Sequence, residues 1–303
     1  MKRDFKLEAE DLYFPEGPRW HNNKLWFSDF YHKSVMTLDE SGNLEKIIDI
    51  PNQPSGLGWL PNGDLIIVSM LDRKLMKFKD GELSLYSDLS ELTPYRCNDM
   101  VIDNKGNAYV GNFGSMDHAK DVKPTCLIRV NTNGIASVAA KNLDFPNGTV
   151  ITPDGKKMII GETYAGRLTS FDIDEEGNLH NRKLWAQVMP KYLYFISKIL
   201  RTLKISPKED APFPVPDGIC LDEKGGVWIA SPTTTELIRY VEGGEITERI
   251  PTPNRAYACM LGGSDGKTLF VLTASDSTPE EASSTKTGKI YSVRVDHSRA
   301  GCP

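Results

Sequence analysis

Four short segments of the 303-residue sequence carry oxygen donors in matching surroundings: "PEGP" (15–18), "CNDM" (97–100), "FPNG" (145–148) and "PDGI" (216–219). Alone, Asn98, Asn147 and Asp217 read as turn formers and Glu16 as a solvated loop charge, because Asn, Asp and Gly favour turns. Together they read differently. Two carboxylates facing one narrow space repel unless positive charge lies between them. Glu16, Asn98, Asn147 and Asp217 form a hard, oxygen-only set without His or Cys. Such a set suits one divalent cation, Ca²⁺ first, with Mg²⁺, Mn²⁺ and Zn²⁺ as alternatives, and leaves positions open to water or substrate.

The elements that must bring these residues together repeat along the chain. Apolar runs "LWFSD" (25–29), "LIIVS" (65–69), "AYVGN" (108–112), "MIIGE" (158–162), "VWIAS" (227–231) and "LFVLT" (269–273) each follow a turn such as "HNNK", "PNGD" or "PDGK". Gly and Asn in those turns tolerate the positive φ that tight hairpins need. A third strand follows in every unit, and a fourth, more polar one in five. Six four-stranded antiparallel units predict an all-β, six-bladed propeller as a single domain over 1–303. Counting eight residues back from each turn glycine gives Ser55, Asn98, Asn147, Asp217 and Ala258, with Glu16 first through a shorter hairpin. The spacings are 39, 43, 49, 70 and 41 residues. The last unit lacks a fourth strand, and "FKLEAEDLYF" (5–14) is a spare strand at the other end. It is expected to close the ring and remove an exposed edge. In that geometry Glu16, Asn98, Asn147 and Asp217 surround one end of the central channel.

Composition narrows the function classes. The net charge of −5 supplies no basic surplus for nucleic acid or an anionic membrane as main partner. "MKRDFKLEAED" has no apolar stretch and is not read as a secretory signal. Five widely spaced cysteines without a CxxC pair point to reduced thiols and a cytoplasmic protein. A Ser-His-Asp triad has no support, since GxSxG is absent and the five histidines show no partner pattern.

"PEGPRW", "RCNDMVID", "FPNG" and "PDGICLD", in this order, resemble the gluconolactonase and senescence marker protein (regucalcin-like) family, which is itself similar to diisopropylfluorophosphatase and to bacterial drug-responsive lactonases. The similarity runs over essentially the whole chain. It implies a six-bladed propeller with a divalent metal in the channel and hydrolysis of lactones or related esters. Carried over by motif, the ligands are Glu16, Asn147 and Asp217, with Asn98 as fourth ligand or water holder, and Arg96 matches a substrate-contacting arginine. Asp217 is the candidate general base. Asp99 either orients Asn98 or meets substrate, and His118 lies in a loop expected on the same face. A non-catalytic binding propeller is the rival class, and the intact oxygen set speaks against it.

The 70-residue spacing contains "MPKYLYFISKILRTLKISPKEDAPFPVP" (189–216), an insertion on that face. Tyr192, Phe195, Ile196, Ile199, Leu200 and Leu203 recur at helical spacing, predicting an amphipathic helix near 190–206. Packing on the propeller rim ranks first for it, then a lid over substrate, then a membrane or partner surface through 191–205. Phe113, Met116, Tyr164 and this helix would give an apolar mouth. A hydrophobic or aromatic lactone is therefore expected ahead of a sugar lactone; the protein itself is expected to be a monomer or small homo-oligomer.

Overall fold

The computed structural model describes residues 3–116, 122–202 and 213–303. Six four-stranded antiparallel sheets follow one another around a channel. Blade 1 comprises Pro15–His21, Lys24–Asp29, Ser34–Asp39 and Leu44–Asp49; blade 2 Pro54–Trp59, Leu65–Ser69, Lys74–Lys79 and Glu82–Asp88. Blade 3 comprises Cys97–Ile102, Ala108–Asn112, Thr125–Val130 and Ala136–Leu143; blade 4 Pro146–Ile151, Lys157–Glu162, Arg167–Ile173 and Leu179–Gln187. Blade 5 comprises Ile219–Leu221, Val227–Ser231, Glu236–Tyr240 and Ile246–Pro251. Blade 6 takes Arg255–Gly262, Thr268–Ala274 and Gly288–Arg294, and its outer strand is Lys6–Leu12 from the other end of the chain. The expected closure is thus present. Lys6 pairs with Ser292 and Leu12 with Gly288, which covers an edge that would otherwise template pairing with another chain.

Burial explains why the second strand of each unit is the clearest sequence signal. Blades stack face to face, so both sides of these strands meet apolar neighbours. Leu65–Ser69, Ala108–Asn112 and Val227–Ser231 are buried at every residue, whereas the outer strand Leu44–Asp49 is half-buried or exposed throughout. Large side chains such as Phe27, Tyr109, Trp228 and Tyr240 fill the wedges between blades, each side chain of this size contributing about 1.5–3 kcal/mol of burial. Trp20 of blade 1 stacks on Phe270 of blade 6, with centroids 5.6 Å apart. His21 stacks on Trp59 of blade 2 at 3.9 Å.

Beyond the last strand the chain straps the channel end where the inner strands finish. Ala300 N donates to Leu221 O (3.0 Å), and Cys302 N to Ile151 O (2.9 Å), so the tail crosses from blade 6 over blade 5 to blade 4. All five cysteines are free thiols.

Among the described residues two α-helices interrupt the strands: α1 (Lys191–Thr202), between blades 4 and 5, and α2 (Pro279–Ser284) in blade 6. Neither is long and apolar enough to cross a membrane, nor is any other helix among the described residues. Helix α1 forms where the apolar spacing predicts it, but the described part of its apolar stripe does not pack on the rim; the Leu200 side chain and Leu203 lie outside the described residues. Tyr192, Phe195, Ile196 and Ile199 are all exposed. Contact with the ring comes instead from the half-buried Tyr194, which donates from Oη to Asp144 Oδ2 at 3.0 Å.

Candidate functional site

The channel residues do not sit in turns. Glu16, Ser55, Asn98 and Asn147 are each the second residue of an inner strand, and Asp217 lies two residues before one. Pairing with the second strand slips at this point in blade after blade: between Glu16 and Arg19, Pro54 and Leu57, Cys97 and Met100, Pro146 and Thr149, and Ala256 and Ala258. A bulge inserts an extra residue and re-aims side chains. Repeated five times, it turns one side chain per blade towards the channel. "FPNG" is therefore a bulged strand start, where the sequence reads as a turn.

The residue after the ring position is Gly in four blades, because successive inner strands meet backbone to backbone. A Cβ on Gly148 would lie 2.6 Å from Asp217 O, and one on Gly218 2.7 Å from Ala258 Cα. These contacts also fix the register of blade 6. Gly148 N donates to Asp217 O, and Gly218 N donates in the same way to Tyr257 O. The sixth ring position is thus Tyr257 rather than Ala258, since that hairpin is one residue longer.

Hydrogen bonds link the ring. Ser55 Oγ donates to Asn98 Oδ1 (3.3 Å), Asn98 Nδ2 to Asn147 Oδ1 (3.0 Å), and Asn147 Nδ2 to Asp217 Oδ1. Asn147 Nδ2 also reaches Thr163 Oγ1 at 3.2 Å, and Thr163 Oγ1 donates to Pro216 O at 2.8 Å. Asn98 and Asn147 are buried, whereas Glu16 and Asp217 keep partial exposure to the channel.

The two carboxyls disfavour ionisation. Burial pushes Glu16 well above the usual range; the charges of Asp217 and Asp99 push the same way, against a hydrogen bond from Gly17 N. Burial raises Asp217 to about 7, opposed by the Asn147 amide and assisted by the Asp99 charge. Among the described residues there is no group of three or more His, Cys, Asp or Glu placed to hold a metal. The set here has two carboxylates plus amides. An amide carries one oxygen and one nitrogen end, so a half-turn of Asn147 would present its oxygen beside Asp217. Glu16, Asn98, Asn147 and Asp217 fit a hard divalent cation, which would offset the burial and the like charges that favour the neutral carboxyls of Glu16 and Asp217.

Asp99 faces a partner the sequence did not suggest. Arg19 Nη2 pairs with Asp99 Oδ1 at 2.5 Å, and Arg19 Nε donates to Leu57 O at 3.0 Å. Both side chains are largely buried. This pair ties blades 1, 2 and 3 together beneath the ring and occupies the carboxylate that was a candidate substrate contact. Only its place in "PEGPRW", three residues after Glu16, marks Arg19.

Around the mouth, aromatic side chains gather. Phe14, Phe30, Met70, Tyr257, Ala274 and Ala282 form a buried group, with Tyr31 and Phe113 packed against it. Phe145 bridges Phe113 (4.7 Å) and Tyr164 (5.1 Å). Its backbone is left-handed, with φ 57°, a costly state for a bulky residue that aims the ring at the mouth. Phe113 and Tyr164 are thus brought together, through a residue not singled out from sequence. Met116 stands 59% exposed and outside this aromatic group. His118 lies outside the described residues. Arg96 is half-buried at the rim. Burial pushes the Tyr31 hydroxyl up to about 12, partly countered by the nearby Arg96 charge.

Similarity to known proteins covers the whole propeller. Residues 14–275 match the SMP-30/Gluconolactonase/LRE-like region. A pentonolactonase of Haloferax volcanii is 24% identical over 265 residues, 86% of this chain and 81% of the relative. Among solved structures, a calcium-binding protein, regucalcin, from Agrobacterium tumefaciens superposes with a TM-score of 0.74 at 18% identity, covering 99% of this chain and 98% of the other. A gluconolactonase of Xanthomonas campestris superposes with a TM-score of 0.72 at 19% identity, covering 96% and 89%. With a six-bladed ring, the oxygen set at its mouth and a family match over most of its length, this chain belongs to the SMP-30/gluconolactonase/LRE-like family.

Proposed function

We propose that this protein hydrolyses a lactone, with a sugar lactone as substrate class and one divalent cation, Ca²⁺ first, held by Glu16, Asn98, Asn147 and Asp217. The observation that carries this reading is the convergence of those four residues at one channel end, with the Asp217 carboxyl raised to about 7. The sugar-lactone class rests on the relatives, a pentonolactonase and a gluconolactonase among them. That places it ahead of the hydrophobic lactone expected from the aromatic mouth. Ca²⁺ is favoured by the oxygen-only donors, and the similar regucalcin structure is described as calcium-binding.

The cation would polarise the lactone carbonyl and lower the pKa of a neighbouring water. Asp217 Oδ1 is occupied by the Asn147 amide, which leaves Oδ2 to take the proton of the attacking water. A carboxylate beside the attacking water is suited to this role, and its burial in the channel keeps its proton affinity above that of a free Asp. Addition of hydroxide and cleavage of the ring C–O bond would yield a carboxylic acid and, as Asp217 returns the proton to the departing ring oxygen, a hydroxyl; the acid then releases its own proton to solvent as the carboxylate. Arg96, half-buried, would hold the product carboxylate. The Arg19–Asp99 pair keeps Asn98 in register.

One observation supports a second substrate class, an aromatic or apolar lactone: the Phe113, Phe145 and Tyr164 cluster at the mouth. A panel of gluconolactone, pentonolactones and dihydrocoumarin separates the two. A kcat/KM for a sugar lactone at least about tenfold above dihydrocoumarin is expected, equivalent to about 1.4 kcal/mol of transition-state discrimination. The reverse order would assign the apolar class.

A further inference from the structure

Helix α1 presents an apolar stripe that is exposed among the described residues. Tyr192, Phe195, Ile196 and Ile199, at i, i+3, i+4 and i+7, are 64, 63, 47 and 60% exposed. Four large apolar side chains on one side of a three-turn helix form a contiguous patch, which in soluble proteins marks an interaction surface. The helix is held by its other side, where Leu193 is half-buried and Tyr194 hydrogen-bonds to Asp144 at the rim of blade 4.

Charge identifies what fits this stripe. From Gly177 to Lys208 the sequence holds no Asp or Glu, although the whole chain carries −5. Residues 189–208 carry Lys191, Lys198, Arg201, Lys204 and Lys208. Aromatic and branched apolar residues combined with Lys and Arg are the composition of helices that lie in a lipid interface. Seating a second copy stripe to stripe would set two basic segments against each other. An anionic bilayer meets both the apolar and the basic part.

We propose that α1 docks the protein on an anionic lipid surface. Tyr192, Phe195, Ile196 and Ile199 enter the headgroup region, and Lys191 with the basic sequence around α1 supplies the attraction to the lipid charge. Asp144, which holds Tyr194, lies just ahead of the inner strand carrying Asn147, so docking through α1 brings the channel mouth towards the lipid. This inference is independent of the reaction.

Flotation of the full chain with vesicles tests it. Expected is binding to phosphatidylcholine vesicles containing phosphatidylglycerol, weakened by salt, with little binding to phosphatidylcholine alone. Lys191→Ala/Lys198→Ala should weaken binding about 25-fold, at roughly fivefold per charge. Phe195→Asp/Ile199→Asp should abolish it, while an unchanged melting temperature and lactonase rate show that the ring is intact. Equal binding by that variant, or no binding of the wild type to anionic vesicles, would overturn the proposal. So would a wild-type dimer that the Asp variant converts to monomer, because the stripe would then belong to a second copy.

Discussion

Asp217→Asn is expected to reduce kcat for lactone hydrolysis by about 10²–10⁴-fold, the usual contribution of a positioned base. Asn is nearly isosteric and can still place an oxygen beside the Asn147 amide, so the ring should keep its shape. What disappears is the proposed acceptor of the water's proton and one of two carboxylates. Calorimetric titration with Ca²⁺ separates these losses. Retained cation binding with lost turnover assigns Asp217 the base role. Lost binding makes its charge a ligand requirement, and retained turnover removes it from the chemistry. Asp99→Asn provides the contrast. It strands Arg19 without its buried counter-charge, a change that costs about 3–5 kcal/mol in comparable settings. Its effect should appear first in the melting temperature and only secondarily in kcat.

The second large effect is a pH dependence of stability in the cation-free protein. Asp217 is raised from its ordinary 3.8 to about 7, and Glu16 is raised as well. A carboxyl raised by folding binds its proton more tightly in the native state than in the unfolded chain. Its stabilising contribution is full below about pH 4 and is lost as the pH rises through about 7. Through these two groups, chelator-treated protein should melt at a lower temperature at pH 8 than at pH 5, a loss on the order of a few kcal/mol. A divalent cation competes with those protons, so Ca²⁺ should raise the melting temperature much more at pH 8 than at pH 5. At about 100-fold excess over Kd it adds about 2.7 kcal/mol. A cation effect that is equal at both pH values would mean that Glu16 and Asp217 are not its ligands.

Much of this architecture is legible in the sequence because packing dictates it. Second strands buried on both faces must be continuously apolar, and hairpins must carry Gly or Asn, so six copies of "LWFSD"-like runs after such turns leave little choice of fold. Ring closure is legible for a similar reason: a sixth unit one strand short and a spare strand at residues 5–14 complete each other. The four oxygen-bearing residues are legible from their register against the turns. What escapes is set by geometry that residue types do not encode. A bulge and a turn use the same Asn-Gly chemistry, so "FPNG" reads as either. One additional residue in the blade 6 hairpin shifts the ring position from Ala258 to Tyr257. Arg19 and Phe145 act through partners 80 and 32 residues away, Asp99 and Phe113, and local pattern carries no trace of either pair. Helical spacing in 192–199 shows that α1 has two faces, not which of them meets the protein.

The central claim is that Glu16, Asn98, Asn147 and Asp217 hold one divalent cation on which lactone opening depends. The most direct measurement is gluconolactone hydrolysis by protein stripped with a chelator, before and after single addition of Ca²⁺, Mn²⁺, Mg²⁺ or Zn²⁺. The account predicts that stripping abolishes turnover and that one ion, Ca²⁺ first, restores it to the wild-type protein but not to Asp217→Asn. Full activity in the stripped, folded protein would contradict it.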